Sequence, residues 1–228
     1  MKELKKFRTQ IIASLTLPNL TISDSAVRNE GRYLRAELTY PALFTSNDTL
    51  RPHLLLEFTF SDVRLVTESL SVNTIIEDVI EIPPVFSPSF IPCVSATETA
   101  IEKWVSLTRR TVAIERKYHY DDPTLVRHIY DLNAIKNTGK INDVFFNLAK
   151  IIIDYDAKQF KNQHPEYFND PATEIRQSLE ILKNKYQWKE RYQRFIESMV
   201  YDKATTPDYE KVVQSLEDIS KDVINALR

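Results

Sequence analysis

The hydrophobic pattern of this chain changes period near residue 93, and that change restricts the folds open to it. Before this point apolar and polar residues alternate, as in YLRAELTY at 33–40, which is the pattern of a half-buried strand. From residue 95 onward the apolar residues recur every three to four positions, as on an amphipathic helix. The sequence therefore predicts an α+β fold, with a β-rich part at 1–93 and a helical part at 94–228.

Four extended segments are predicted in the first part, and we expect them to form a small mixed sheet. They lie at 33–40, 53–60, 63–72 and 90–94. A helix at 3–15 precedes them, and a short helix at 74–80 interrupts them. The strand at 53–60 is largely apolar, which predicts that it is mostly buried.

The second part is predicted to be a bundle of helices. The start of its first helix is well defined, because Ser95 and Glu98 have the spacing of a capping box, in which each side chain binds the other residue's backbone N–H. The predicted helices span 96–117, 124–136, 141–160, 172–184, 188–201 and 208–227.

Composition excludes several classes of site. The chain has only two glycines, Gly31 and Gly139, so it lacks the glycine-rich loops of Walker A sites, dinucleotide-binding folds and kinases. Its single cysteine, Cys93, excludes an internal disulfide and a cysteine-rich zinc site. The net charge of -2 disfavours bulk electrostatic capture of nucleic acid. No segment is apolar enough to span a membrane, so we expect a cytoplasmic protein.

Glu57 is the first candidate for a functional side chain. It lies in the apolar strand at 53–60, on the face opposite Leu56 and Phe58. A carboxylate in such a strand is costly unless it forms an ion pair, reaches water in a cleft or binds a metal. Two interpretations are therefore open: Glu57 belongs to a site, or it pairs with Arg35 on a neighbouring strand.

Lys103 is the second candidate, and it lies on the helix that Ser95 caps. Thr99, Lys103 and Ser106 follow one another at helical spacing, while Trp104 faces inward. An ammonium held in place on a helix can stabilise the charge that develops on phosphate during phosphoryl transfer. The alternative is an exposed lysine on an amphipathic helix.

Residues 127–132 (RHIYDL) supply the third candidate, Asp131. Arg127 and Asp131 are four positions apart, so their side chains project together from a helix. They form either an i,i+4 ion pair or part of a site in a cleft. His128 is expected to be partly buried rather than to act as a general base.

Basic residues also lie towards the end of the predicted helix at 96–117. They are Arg109, Arg110, Arg116 and Lys117. A solvated helix face is the expected arrangement, and the alternative is that these residues steer a nucleic-acid acceptor.

Residues 94–103 (VSATETAIEK) and 127–132 together resemble the third and fourth motifs of the AbiEii/AbiGii toxin-like nucleotidyltransferases, which are relatives of the DNA polymerase beta superfamily. The resemblance also covers residues 34–60 and the C-terminal tail. It implies a partial polymerase-beta-like mixed sheet followed by a helical bundle, with a nucleoside triphosphate and Mg²⁺ as cofactors. It further implies a toxin of toxin–antitoxin and phage abortive infection systems, with an antitoxin as partner and an RNA as acceptor.

The same resemblance implies roles for particular residues. Lys103 and Asp131 would be catalytic, Lys103 and Arg127 would bind the nucleotide, and Glu57 would be a metal-binding carboxylate. We expect Glu57, Lys103 and Asp131 to converge on one concave surface. The sequence departs from the family at Thr99, where relatives often have arginine. It also lacks the Gly-Gly-Ser/Thr turn followed by an Asp-x-Asp pair with which the family's active site begins.

Two functional hypotheses follow. In the first, the chain is a nucleotidyltransferase-like protein of the AbiEii toxin group that is incomplete and inactive alone. Three explanations of the missing motifs are open: a complementing N-terminal chain supplies them, the chain is a degraded remnant, or its start site is assigned too late. In the second, it is a non-catalytic binding protein that docks an antitoxin or a complementing chain. An unpaired sheet edge would favour such docking.

Overall fold

Strands and helices occur in the order that the change of hydrophobic period predicts, which confirms the α+β class. The computed structural model describes residues 2–15, 18–41, 53–72, 79–80, 83, 87 and 89–227. Backbone contacts divide the chain into two compact units, Met1–Val63 and Arg64–Arg228. Each unit is described by itself below.

The first unit contains a helix and a three-stranded antiparallel sheet with the strand order β1-β2-β3. Its elements are α1 (Lys2–Ser14), β1 (Thr21–Arg28), β2 (Tyr33–Thr39) and β3 (His53–Thr59). The alternation in β2 is confirmed, because Leu34, Ala36 and Leu38 are all buried. In the register of the sheet these residues lie opposite Phe58, Leu56 and Leu54 of β3.

Two features of this unit differ from the sequence predictions. Strand β1 was not predicted, because its sequence TISDSAVR contains little apolar surface and several residues that disfavour strands. Strand β3 is not mostly buried: Leu54 is 49% exposed, and none of the seven residues of the strand is fully buried. Apolar composition alone therefore overestimated how deeply this strand lies in the unit.

The turn between β1 and β2 requires glycine. Gly31 has a φ of +86°, in the left-handed region where side chains are strained. A Cβ at this position would also collide with the guanidinium of Arg8, which donates a hydrogen bond to the Gly31 carbonyl at 2.6 Å. This bond ties helix α1 to the turn.

The second unit begins with a two-stranded antiparallel ribbon, β4 (Glu68–Val72) and β5 (Ser89–Cys93), in which Leu70 lies opposite Ile91. The extended run at 63–72 is thus a strand only in its second half. All pairings among the described strands are antiparallel and belong to two separate sheets, where one mixed sheet was predicted. Most of the short helix predicted at 74–80 lies outside the described residues.

Helices form the remainder of this unit. They are α2 (Ala96–Glu115), α3 (Arg127–Asn137), α4 (Asp143–Gln159), α5 (Pro165–Asn169), α6 (Pro171–Asn184), α7 (Tyr186–Met199) and α8 (Tyr209–Leu227). Every predicted helix of the bundle is present, with ends displaced by three residues at most. The short α5 was not predicted. The change from strands to helices falls between Cys93 and Ala96, while the division into domains at 93 stays a prediction.

Helix α2 runs through the core of the second unit. Trp104 is fully buried, and its indole N–H donates a hydrogen bond to the hydroxyl of Ser220 on α8 at 2.9 Å. Buried Ile129 and Leu132 of α3 belong to the same core cluster. These contacts fix α2 and α3 side by side, which sets the positions of the polar residues on their outer faces. Among the described residues, no helix is both long and apolar enough to cross a membrane.

The predicted capping box at the start of α2 is only half formed. Ser95 accepts a hydrogen bond from the backbone N–H of Glu98 at 3.1 Å, as predicted. The side chain of Glu98 instead accepts hydrogen bonds from the backbone N–H groups of Arg64 and Leu65. Its carboxylate therefore holds a distant segment of the chain rather than its own helix cap.

Candidate functional site

The structure brings Lys103 and Asp131 together. The ammonium of Lys103 on α2 donates to Oδ2 of Asp131 on α3 at 2.7 Å, across the interface that the buried apolar residues of the two helices form. Their side chains are 28% and 33% exposed. The pair is thus firmly placed by the core beneath it and still accessible to a ligand. Whether it is catalytic stays a prediction.

Arg127 does not pair with Asp131, although the two residues are four positions apart. The carboxylate of Asp131 binds Lys103 instead, and Arg127 is exposed at the start of α3, where no ion pair with another described residue is found. The i,i+4 ion pair offered as the structural explanation of this motif is therefore not formed. Arg127 remains accessible to an anion, as its predicted role in nucleotide binding requires.

His128 lies partly buried among these charges. Burial, together with the positive charges of Lys103 and Arg127, lowers the pKa of His128 to about 4. Its Nδ1 atom is buried without a hydrogen-bond partner in the described part of the chain. The imidazole is therefore neutral at physiological pH and adds no charge to the site, in line with the expectation that it is not the general base.

A second ion pair fixes the loop that leads into α3. Arg110 on α2 binds Asp122 at 2.6 Å, and Asp122 also accepts hydrogen bonds from the backbone N–H and the hydroxyl of Thr124. Burial opposes ionisation of Asp122, but the bonds from Thr124 and Arg110 prevail and lower its pKa. The sequence signal for this anchor was Asp122-Pro123, an N-cap followed by proline, and it was missed.

Arg109 on α2 and Arg116, the residue that follows the helix, do not form the solvated face that was predicted. Arg109 is buried, binds Asp156 at 2.6 Å and stacks over the ring of Phe160 at 3.8 Å. Arg116 makes two hydrogen bonds to the carboxylate of Glu174, at 2.5 and 2.8 Å. The charges of these arginines are matched by carboxylates within the unit. The arginines therefore stabilise contacts between helices instead of facing solvent.

Glu57 lies in the first unit, on β3, and is itself exposed. It accepts a hydrogen bond from the hydroxyl of Tyr33. Arg35 is its cross-strand neighbour, yet the guanidinium of Arg35 binds Glu37 at 2.7 Å. Neither the ion pair with Arg35 nor a metal-binding role is therefore established for Glu57. Its convergence with Lys103 and Asp131 stays a prediction.

Comparison with known families supplies the deciding observation. The family described as nucleotidyl transferase AbiEii toxin, type IV toxin–antitoxin system, matches residues 1–215. The chain belongs to the AbiEii toxin family. This confirms the resemblance drawn from residues 94–103 and 127–132. No curated protein and no solved structure matches the chain.

Membership of the AbiEii family connects the chain with a toxin-type nucleotidyltransferase function and, in general, with an antitoxin.

The letters Asp-x-Asp do occur once in the sequence, as Asp154-Tyr155-Asp156, but they lie on helix α4. Asp156 is held by Arg109, and Asp154 binds Lys158 one turn further along the same helix. This triplet is therefore not the strand-borne acidic pair of the AbiEii nucleotidyltransferases.

The described residues do not by themselves fit a divalent cation. No cluster of three or more histidine, cysteine, aspartate or glutamate side chains suited to a metal ion occurs among them. Asp131 is bound to an ammonium, and Glu57 offers one carboxylate on a separate unit. Magnesium sites for phosphoryl transfer need several oxygen ligands. No catalytic step is therefore assigned to a metal on these residues alone.

Proposed function

We propose that this chain is a nucleotidyltransferase-like toxin whose second unit holds the phosphates of a nucleoside triphosphate, with Lys103 as the principal phosphate ligand. The observation that carries the proposal is the accessible Lys103–Asp131 pair on two packed helices, in a chain of the AbiEii family. Arg127 is the second cation for the phosphates. Glu57, which lies in the first unit, is the carboxylate that we assign to the metal.

The charges around the pair favour an anionic ligand. Lys103 and Arg127 provide two positive charges against the single negative charge of Asp131, while His128 is neutral. A phosphate is therefore attracted to a region of net positive charge that local ion pairing has not neutralised. Arg110 adds nothing to this excess, because Asp122 already matches its charge.

The ion pair also has a function before the nucleotide arrives. Asp131 holds the ammonium of Lys103 in a defined position, so the lysine loses little conformational entropy when it binds phosphate. When the phosphate oxygens attract the ammonium, the carboxylate of Asp131 becomes available to the reacting groups. In the reaction, an acceptor hydroxyl loses its proton to solvent and its oxygen bonds to the α-phosphorus. The bond from the α-phosphorus to the oxygen that bridges to the β-phosphorus breaks, and pyrophosphate leaves.

We further propose that transfer requires a complementing segment with a Gly-Gly-Ser/Thr turn and an Asp-x-Asp strand. The 228 residues contain no such turn, and their one Asp-x-Asp triplet is committed to helix contacts. The acceptor would be an RNA, and the reaction would take place in the cytoplasm, where nucleoside triphosphates are available. Most ligands of Mg²⁺ would belong to the complementing segment, with Glu57 as the contribution of this chain.

The test is a transfer assay with each of the four labelled nucleoside triphosphates, Mg²⁺ and an RNA acceptor. The chain alone should transfer no nucleotide, whereas a mixture with the complementing segment should bind and transfer it. In the mixture, Lys103→Ala should lower transfer by about 10²–10³-fold, the usual effect of removing a group that stabilises transition-state charge. Asp131→Ala should also lower transfer, because Lys103 loses the carboxylate that holds its ammonium in place.

Lys158→Ala is the matched control for these variants. Lys158 also forms an ion pair with an aspartate, at 2.6 Å, but the pair lies on the exposed surface of α4. Its loss should leave transfer unchanged. Vigorous transfer by the chain alone, or full activity of Lys103→Ala in the mixture, would refute the proposed function.

A second function is favoured by the ribbon formed by β4 and β5. Nearly all of its residues are exposed on both faces, and Phe90 is 70% exposed. An isolated two-stranded ribbon is marginally stable and has unpaired edges. In this alternative the chain is a non-catalytic protein that docks an antitoxin or a complementing chain there. Phe90→Ser should then weaken binding of the antitoxin, whereas Lys103→Ala should not.

A further inference from the structure

The loop that joins α2 to α3 presents a tyrosine to solvent. Tyr120 is 90% exposed. Its ring lies edge-on to the ring of His119, with 6.3 Å between the two centroids, and Nδ1 of His119 lies 2.8 Å from the carbonyl oxygen of Tyr120. Because an aromatic ring in water gains free energy when a planar apolar group covers its face, Tyr120 offers a stacking surface.

Two ion pairs fix the backbone next to this tyrosine. Arg191 on α7 binds Asp121 at 2.6 Å, and Arg110 on α2 binds Asp122 at 2.6 Å. The loop is therefore tied to two different helices within two residues of Tyr120. A side chain on a backbone that is already ordered loses less entropy when a ligand binds, so the position of this ring favours binding.

The same loop lies in line with the phosphate-binding residues of the proposed function. Lys103 and Arg110 are seven positions apart on α2, so they lie on one face of the helix, about 10.5 Å apart along its axis. Their partners, Asp131 and Asp122, follow in the opposite order along the chain. The segment between the two aspartates therefore runs back along α2 from Arg110 to Lys103, and it carries Arg127.

Tyr120 lies just beyond the Arg110 end of this row. It precedes Asp122 by two positions, at most about 7 Å of chain. A nucleoside triphosphate has its phosphates at one end and its base at the other. A row with two cations at one end and an exposed ring at the other end matches both parts of such a ligand.

The charges around the ring also permit a nucleotide. The two carboxylates nearest to it in sequence, Asp121 and Asp122, are matched by Arg191 and Arg110. These carboxylates therefore do not repel the phosphates that the exposed Arg127 and Lys103 attract.

We propose that Tyr120 stacks against the nucleobase of the nucleoside triphosphate whose phosphates Lys103 and Arg127 hold. The inference rests on the proposed function, because it places the base relative to these two cations. Every base has a π face, so stacking on a tyrosine is tolerant of base identity. ATP, GTP, CTP and UTP should therefore all use this ring.

The experiment measures binding to the 228-residue chain alone, at millimolar ligand, because two cations hold a triphosphate weakly. The ligands are the four nucleoside triphosphates, inorganic triphosphate, which has no base, and the single-stranded RNA hexauridylate. NMR titrations give the dissociation constants, and upfield shifts of the base protons report stacking on an aromatic ring.

The variants are Tyr120→Ala, Tyr120→Phe and Lys103→Ala. Tyr201→Ala is the matched control, because Tyr201 is also exposed and lies between α7 and α8. Since Tyr120 is exposed, urea unfolding of its variants should match that of wild type, which shows that they are folded.

In Tyr120→Ala we expect the affinity for each nucleoside triphosphate to fall by about fivefold or more, the usual effect of removing a stacking ring. The upfield shifts should disappear, and affinity for inorganic triphosphate should stay at the wild-type value. Tyr120→Phe keeps the ring, so it should keep both the affinity and the shifts. Lys103→Ala should bind nucleoside triphosphates and inorganic triphosphate more weakly, and Tyr201→Ala should behave as wild type.

Wild-type affinity of Tyr120→Ala for the nucleoside triphosphates would overturn the stacking role. A loss for hexauridylate alone would also overturn it, because the base on the ring would then belong to an RNA strand. Either result leaves the proposed function intact if Lys103→Ala still binds inorganic triphosphate more weakly than wild type. Equal affinity of Lys103→Ala and wild type for inorganic triphosphate, or no binding by wild type, would instead overturn the proposed function, and the stacking role with it.

Discussion

The two units of this chain differ in how they are held together. Among the described residues, the five largest fully buried side chains lie in the second unit and belong to one continuous core; they are Trp104, Trp188, Tyr167, Tyr192 and Phe145. In the described part of the first unit, only Leu34, Ala36 and Leu38 are buried apolar residues, and α1 buries none of its side chains. The Lys103–Asp131 pair is therefore supported by an extensive buried core, whereas Glu57 lies on a sheet with few buried apolar residues.

Expressing the two units as separate fragments should test most clearly whether they differ in stability. We expect residues 64–228 alone to keep a helical circular dichroism spectrum and a single cooperative unfolding transition, because their core is self-contained. Residues 1–63 alone should not unfold cooperatively, since a small sheet with so few buried apolar residues offsets little chain entropy.

The control for this experiment is the full chain, whose main transition should coincide with that of residues 64–228. A cooperative transition of residues 1–63 alone would show that the first unit has a core of its own. Loss of helical structure from residues 64–228 would show that the two units fold as one.

Single core substitutions should sharpen the comparison. Trp104→Ala removes a fully buried ring and its hydrogen bond to Ser220, so it should lower the free energy of unfolding by about 3–5 kcal/mol. Leu54→Ala in β3 removes a half-exposed side chain and should cost about 1 kcal/mol or less. Urea denaturation measures both values, and similar losses would contradict the difference between the units.

The helical unit was predicted well because its signals are local. Helix periodicity, the Ser95 cap and breaks at proline and glycine all act within a few residues, so the ends of the helices follow from short stretches of sequence. Strand β1 was missed because its stability comes from pairing with β2 rather than from its own composition. Strand pairing and the separation into two sheets depend on residues far apart in sequence.

The candidate site was predictable in part for the same reason. The motifs at 94–103 and 127–132 marked two helices, but their sequences could not show that Lys103 rather than Arg127 would bind Asp131. The burial of Arg109 and the capture of Arg64 by Glu98 are contacts over tens of residues. Such partners depend on how helices pack, and a charged residue's neighbours on its own helix do not reveal them.

Acid should weaken the helical unit through two histidines that burial keeps neutral. Burial lowers the pKa of both His128 and His164 to about 4, from about 6.5. Both are neutral in the folded chain, while the unfolded chain binds protons below about pH 6.5. The two histidines therefore lower the free energy of unfolding only below about pH 6.5. The loss grows as pH decreases towards 4 and reaches about 3 kcal/mol at most for each histidine.

This pH dependence can be measured by urea unfolding between pH 7.5 and 4. His128→Gln and His164→Gln should each make the loss of stability over that range shallower, because glutamine does not titrate. His119 is exposed, so His119→Gln serves as the control and should leave the slope unchanged. Equal slopes in all variants would mean that other groups cause the loss.

The smallest effect on stability is expected at the residues with the largest expected effect on transfer. Lys103 and Asp131 form an ion pair with about a third of each side chain exposed, and solvent screens such pairs to about 1 kcal/mol or less. Lys103→Ala and Asp131→Asn should therefore unfold at nearly the wild-type urea concentration, and a double-mutant cycle should give a coupling energy of about 0.5 kcal/mol.

The matched comparison is Arg109→Ala, which leaves the partly buried Asp156 without its partner and should cost about 3 kcal/mol or more. A loss of several kcal/mol in Lys103→Ala would place this lysine with Arg109, as a residue that joins helices. A negligible loss would leave the exposed pair free to serve a ligand, because the fold would not depend on it.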